Sequence, residues 1–281
     1  MEVNVFRRMV AAKETASYLL SSDIHADDNE FNRKIFTKEY TKAADKGARI
    51  YIAGDVLRCI LINDKRYTKS SDIYDSDDII GESIEQAVAL FKPYVDYIDI
   101  IGCGNHETAI LKRNNVDVIR LLINRLNTLR SEKLDPIVHG GYEGWIRIYF
   151  DRPGGNTTFI FTIWYNHGQG GSSPVTKGII DLARRGYIDA DVIWMGHKHQ
   201  RISVEMDPLC CLTTNSNKIH WKERRGIITG CYGNRHREYD IKEKGYQLSF
   251  SEEKCRTPQA IGGAFINVNH YSHEWSWNVE Q

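Results

Sequence analysis

This sequence lacks most of the features that would place a chain in a special class. No run approaches the roughly 18 apolar residues that a membrane span needs, so no membrane partner is expected. The first residues, "MEVNVFRRMVAAKETAS", hold no apolar stretch followed by a cleavage signature. Secretion is therefore not expected, and the cytoplasm is the expected compartment. Charge of one sign is missing too: 37 basic residues balance 37 acidic ones. That argues against a large non-specific grip on nucleic acid. Cysteine is sparse and scattered, at Cys59, Cys103, Cys210, Cys211, Cys231 and Cys255, with no C-x-x-C pair. These are expected to be reduced thiols, and a structural zinc site built on them is not expected. There is no internal repeat and no low-complexity linker.

What remains is an ordinary soluble composition, 41% hydrophobic and 26% charged. A chain of 281 residues can bury one large core, so a single domain over 1–281 is expected. Residues 1–15 read as a loose lead-in. Residues 200–281 read as a β-rich part of the same domain, from "RISVEM", "GIITGCYG", "GAFINVNHY" and "EWSWNVEQ".

Between these ends, strand-like and helix-like stretches alternate. "ASYLLSSDIH" is a short apolar run. "NEFNRKIFTKEYTKAADKGA" has Phe31, Ile35, Phe36 and Tyr40 near helical spacing and a Gly47 stop. "RIYIAGD" is the next strand, and "GESIEQAVALFKPYVDYID" is helical up to Pro93. One long helix is expected over "ILKRNNVDVIRLLINRLNTLRSEKL", with Val116, Ile119, Leu122, Ile123 and Leu126 at three- and four-residue steps. Strands are expected at "GWIRIYF" and "TTFIFTIWYNHG". In "SSPVTKGIIDLARRG" Ser173 suits an N-cap, Pro174 the first helical position and Gly186 the stop.

Five of the apolar runs end in a short polar signature: Asp23-x-His25, Gly54-Asp55, Gly104-Asn105-His106-Glu107, Asn166-His167-Gly168 and Gly196-His197-x-His199. Parallel strands joined by helical crossovers end on one edge of a sheet, and sites gather there. In extended backbone, residues two apart point the same way. Asp23 and His25 can then share a target, as can His197 and His199. With Asp55, Asn105 and His167 they make seven oxygen or nitrogen ligands, and His106 is left over. That exceeds what one four-coordinate zinc needs and suits two metals with open positions. Two divalent ions about 3.5–4 Å apart can hold a bridging hydroxide and clamp a phosphoryl oxygen. Mixed Asp and His ligands without cysteine favour manganese, iron or zinc. A histidine beside the metals that is not a ligand could protonate a leaving alkoxide.

In this order, D-x-H, G-D, G-N-H-E, H-G and G-H-x-H resemble the signature of the calcineurin-like metallophosphoesterase superfamily. The resemblance covers residues 18 to 199. The segment from His167 through "GSSPVTKG" resembles a branch of small phosphoesterases of phage and bacterial genomes. The resemblance implies an α/β fold, a two-sheet β-sandwich flanked by helices in four αββα layers, with the late strands completing the second sheet. It implies that Asp23, His25, Asp55 and His199 hold a first metal. Asp55 as a bridge, Asn105, His167 and His197 would hold a second. His106 would be the general acid, or at least a donor to the phosphoryl group. The implied cofactors are two divalent ions, manganese first, with iron, zinc, magnesium or nickel as alternatives. The implied substrate is a phosphoester, preferably a phosphodiester of a nucleotide or nucleic acid. A phosphomonoester, or a non-catalytic metal-binding scaffold, is the alternative.

The sequence also departs from the family. Many members carry an acidic residue three positions after the aspartate of G-D, where this chain has Arg58. "GDVLRCI" is not the G-D-x-V-D-R-G of protein Ser/Thr phosphatases. Arg58 could face a substrate phosphate or solvent, and Arg113 could reach substrate or lie on a helix surface. Glu107 could orient a ligand histidine, since metal-bound imidazoles usually donate their other N–H. The turn at Gly170, Gly171 and Ser172 opens an expected helix and could cradle a phosphate. The polar excursion at 62–79 is either a lid or a loop. His139, His220, His236, His270 and His273 match no motif and are expected in packing or at the surface.

Overall fold

The computed structural model describes residues 2–61, 64, 67, 76–154, 157–171, 173, 175–212, 218–233, 259–271 and 274–281. Most of the 62–79 excursion, and Ser172, Pro174, His236, Cys255 and His273, lie outside the described residues.

Among the described residues, the strands form two six-stranded mixed sheets. The first holds β1 (Glu2–Met9), β6 (Glu143–Asp151), β7 (Thr157–Asn166), β8 (Val192–Met195), β10 (Ile219–Ile228) and β9 (Ile202–Leu212), in that spatial order. The second holds β12 (Glu274–Glu280), β11 (Ala264–Tyr271), β2 (Thr15–Ser21), β3 (Arg49–Ile52), β4 (Ile98–Gly102) and β5 (Val138–Gly141). β2 through β5 are mutually parallel, and so are β7 and β8. The late strands divide between the sheets: β9 and β10 extend the first, and β11 and β12 extend the second. The expectation that they complete one sheet is corrected accordingly.

The short parallel strands are apolar throughout because both of their faces are covered. Tyr18 and Leu20 of β2, and Val192 and Trp194 of β8, face a core between the sheets with Ile146, Ile148, Phe161 and Ile163. Leu19, Ile50 and Ile52 face the other way, into a helical layer. That layer contains α1 (Arg33–Asp45), α2 (Ile79–Phe91), α3 (Asn105–Asn114) and α4 (Val118–Asn127). On the far side of the first sheet, Leu182 of α5 (Ile179–Ala183) packs on Trp164, Ile193, Met195 and Ile228. The order is helix, sheet, sheet, helix, as expected.

Local chemistry explains most helix boundaries. Asn32 caps α1 by accepting from the Ile35 N–H, and Gly47 follows its end at φ 60°. Asp78 caps α2, and Pro93 lies in a 3₁₀ turn over Lys92–Tyr97 that leads into β4. α4 buries Val118, Ile119, Leu122, Ile123 and Leu126. Each such side chain contributes about 1.5–3 kcal/mol relative to exposure.

Three sequence expectations are corrected. Residues 2–9 are a parallel edge strand on β6, not a lead-in. The long helix over 110–134 is two helices, α3 and α4, divided by Asn115 in left-handed backbone (φ 55°) and recapped by Asp117. The helix expected from Ser173 starts only at Ile179. Lys177 and Gly178 are left-handed, at φ 48° and 89°, which interrupts the helical path. Ser173 still accepts, through its hydroxyl oxygen, from the Val175 and Thr176 N–H groups.

Candidate metal centre

Five parallel strand ends meet at one edge of the sandwich. Asp23 and His25 follow β2, Asp55 follows β3, Asn105 and His106 follow β4, His167 follows β7, and His197 and His199 follow β8. Extended backbone is not what brings them together. Asp23, His25, Asp55, His197 and His199 are not extended but left-handed, with φ between 48° and 63°. Non-glycine residues adopt this region at a cost of order 1–3 kcal/mol each. The cost is offset here by main-chain hydrogen bonds between the loops: the Asp23 N–H donates to the Gly54 carbonyl at 3.0 Å and the His25 N–H to the Asp55 carbonyl at 3.1 Å. Glycine makes the close packing possible. A Cβ on Gly54 (φ 82°) would lie 2.5 Å from the Cys103 carbonyl carbon, where the β3 and β4 loops touch. A Cβ on Gly196 would lie 2.7 Å from the Ser22 hydroxyl and 2.9 Å from Asp23 Oδ2.

The side chains fall into three groupings: Asp23, His25 and His199; His25, Asp55 and His106; Asp55, His167 and His197. In each, one ligand atom per residue lies within 4.8 Å of the others. Asp55 belongs to two of them and His25 to two. Asp55 Oδ2 is 3.2 Å from His167 Nε2 and 4.0 Å from His106 Nε2, and Oδ1 accepts from the His106 N–H at 3.0 Å. Asn105 Oδ1 lies 3.3 Å from His167 Nε2. Asp23 Oδ1 lies 3.1 Å from His199 Nε2, while Oδ2 accepts from the His197 N–H at 2.9 Å.

Charge and burial pull these groups in different directions. Burial, then the neighbouring His106, pushes His25 down to about 3, so this imidazole is neutral. Burial also acts against a charged His167, but the Asp55 charge and contact overcome it and raise the group to about 9. His199 is likewise raised by Asp23 against the cost of burial. Burial opposes ionisation of Asp55, and the surrounding imidazoles, His167 first, still hold it well below the usual carboxylate range. His197 is lowered, chiefly by burial.

The residues fit divalent cations. His25 Nδ1 is buried with no hydrogen-bond partner, which costs about 1–3 kcal/mol in the absence of a ligand, and Asp23 Oδ1 beside it has only the His199 imidazole at 3.1 Å and no well-aligned hydrogen bond. Both lie in one grouping. His167 Nδ1 is 2.8 Å from the Ala53 carbonyl, which can only accept. Nδ1 therefore carries a proton, and Nε2 is the nitrogen that faces Asp55 and Asn105. That is how a ligand histidine is oriented.

Two buried carboxylates organise the Asp55 loop, and neither role follows from motif spacing. Glu107 accepts from the N–H groups of Asp55 (3.1 Å), Leu57 (3.0 Å) and Gly104 (2.8 Å). It holds backbone rather than a ligand histidine, which corrects the expectation. Burial and the Asp55 charge push Glu107 up to about 7. Asp27 accepts from the N–H groups of Arg58 and Cys59 and from the Ser83 hydroxyl. The one sequence signal for Asp27 is its place two residues past His25, on the loop that opposes Asp55.

The residues expected to meet substrate have partners within the chain. Arg58 Nη1 donates to Asp28 at 2.9 Å, and Arg113 Nη1 donates to Asp64 at 2.5 Å. The carbonyls of Gln169 and Gly171 accept from Lys198 Nζ at 2.6 and 3.1 Å, and the Gly170 carbonyl accepts from His197 Nε2 at 2.9 Å. The carbonyls of this turn are thus engaged by Lys198 and His197, and the helix expected behind it begins only at Ile179. Lys198, between the two histidines, was not singled out from sequence.

Of the remaining histidines, His139 and His270 contact other parts of the chain. His270 is buried and stacks on Trp275 with centroids 4.2 Å apart, and His139 lies 3.5 Å from Asp117. Cys59, Cys103, Cys210, Cys211 and Cys231 are free thiols. Among the described residues no helix is long and apolar enough to cross a membrane.

No protein-family model matches the sequence, and no curated protein matches it. Among solved structures, the chain is similar to vacuolar protein sorting 29 from Cryptosporidium parvum, with 13% sequence identity and a TM-score of 0.38. The match covers 95% of this chain and 97% of that one.

Proposed function

We propose that this chain is a dinuclear metal-dependent phosphoesterase of the calcineurin-like kind, acting on a phosphodiester. The observation that carries the proposal is Asp55, a buried carboxylate shared by two of the three ligand groupings at one sheet edge. Asp23, His25, Asp55 and His199 would hold one cation. Asp55, Asn105, His167 and His197 would hold the other. When bound, two such cations generate a nucleophile from water at neutral pH and neutralise charge on the phosphoryl oxygens; manganese suits this donor set.

The chain's own residues supply the rest. The Ala53 carbonyl fixes the His167 tautomer. Glu107 and Asp27 hold the Asp55 loop rigid, which keeps reacting groups within productive geometry. His106 is half-buried beside Asp55 and His25, with ring centroids 4.9 Å apart in the second pair. Its Nε2 is the group we assign to proton donation toward the leaving oxygen. The preference for a diester is supported by Arg58 and Arg113, whose guanidinium groups are committed to Asp28 and Asp64. A monoanionic diester asks for less cationic help than a dianionic monoester. A nucleotide or nucleic-acid phosphodiester is the substrate class proposed, and a cytoplasmic setting is consistent with the free thiols.

The test is hydrolysis of bis-p-nitrophenyl phosphate against p-nitrophenyl phosphate, on metal-stripped protein with manganese restored. Turnover of the diester is expected. Turnover of the monoester alone would transfer the chain to the phosphatases. Silence on both, with manganese bound, would make it a scaffold.

A further inference from the structure

The lysine inside Gly196-His197-Lys198-His199 is buried, at 5% exposure. An ammonium group has three donors and no acceptor. All three are used: Gln169 carbonyl at 2.6 Å, Gly171 carbonyl at 3.1 Å and Asp181 Oδ2 at 3.1 Å. Lys198 thus joins three segments: its own loop after β8, the glycine turn after β7, and α5. The two carbonyls it grips flank Gly170, whose own carbonyl receives His197 Nε2 at 2.9 Å. The two loops also touch directly, since a Cβ on Gly168 would sit 3.2 Å from the Cβ of His197.

We propose that Lys198 is a positioning residue for the second cation. By clamping the carbonyls on either side of Gly170, it presents the Gly170 oxygen to His197. That oxygen accepts a hydrogen bond from Nε2–H and leaves Nδ1 as the nitrogen available to the grouping with Asp55 and His167. The glycine turn is on this account an internal ammonium receptor that sets the tautomer of a ligand. The part concerning metal rests on the function proposed above; the part concerning the tautomer does not.

Two measurements on the full chain test it. The first is nitrogen-15 NMR of the histidine rings in metal-free protein. Wild type should show His197 as the Nε2–H form. Lys198→Met, which keeps the apolar stem and removes the ammonium, should convert His197 to a mixture of tautomers and leave the His167 signals unchanged, with that ring protonated on both nitrogens in the metal-free chain. A wild-type His197 in the Nδ1–H form would overturn the proposal outright, whether or not the variant folds. The second is manganese titration followed by the paramagnetic resonance of the free ion. Lys198→Met should weaken one binding step by roughly 10–100-fold, the range for loss of a group that orients a ligand, and leave the other unchanged. Asp181→Asn, which spares both carbonyl contacts, should weaken the same step by less. Two wild-type steps that survive unaltered in Lys198→Met, with His197 unchanged, would refute the role of Lys198. A wild type with no second step would instead sink the dinuclear assignment, while the tautomer shift still decides the role of Lys198.

Discussion

His106 Nδ1 lies 2.6 Å from the carbonyl oxygen of Arg58. A carbonyl only accepts, so Nδ1 carries a proton and Nε2 is the nitrogen left to face Asp55, 4.0 Å away. Arg58 contributes to this corner of the site twice. Here its main chain orients His106, and its side chain turns to Asp28. His106→Ala should therefore keep bound manganese and slow diester turnover by roughly a hundredfold or more. Atomic-absorption counting together with steady-state kinetics separates the two effects; an unchanged rate would remove His106 from the chemistry.

His167 gives the metal-free protein a definite pH response. Its raised pKa, about 9, means it binds a proton in the folded chain where an ordinary imidazole at about 6.5 has lost it. Its contribution to stability is then fully present below about 6.5 and lost as pH rises through about 9. Cation binding needs the neutral ring, so manganese affinity should rise between those values and binding near pH 7.5 should release protons. Calorimetry in two buffers of different ionisation enthalpy reads the release directly. Identical heats in both buffers would contradict it.

Glu107 accepts three main-chain N–H groups while 3% exposed. Glu107→Gln replaces one acceptor oxygen with a donor, leaving an N–H unsatisfied. The expected loss is about 1–3 kcal/mol, read as a lower urea midpoint with an unchanged slope. A midpoint equal to wild type would show that the loop does not hang from this carboxylate.

Gly54→Ala tests the contact between the β3 and β4 loops. Left-handed backbone alone costs about 1–3 kcal/mol for a side chain, and the added carbon would also press on main chain at 2.5 Å. A lower melting temperature is expected together with weaker manganese binding, because Asp55 and Asn105 flank the contact. Loss of stability with intact metal affinity would confine Gly54 to a folding role.

Much of the centre was legible because order along the chain survives folding: five polar signatures on five strand ends remain neighbours when those strands are parallel. The helices α1 and α2 were legible from local caps and spacing. β1 was not. Its apolar Val3 and Val5 are exposed, its Asn4 is buried, and its partner β6 lies far along the chain. β5, "VHGG", carries no strand propensity and forms by pairing with β4. Which sheet β9 and β11 join is likewise a long-range matter. At the site, residue identities were readable and backbone conformation was not. Left-handed Asp23, Asp55 and His197 depend on loops packed against one another, and the roles of Asp27, Glu107 and Lys198 arise only when those loops meet.

Asp55 is where the account is most exposed, and metal counting tests it most directly. Metal-free protein is dialysed against manganese, and bound ions per chain are measured by plasma mass spectrometry for wild type and Asp55→Asn. The account predicts close to two ions for wild type and fewer for the variant, with the folded state intact by circular dichroism. A wild type that binds none, or a variant that binds as many, would contradict the shared carboxylate on which the proposed function stands.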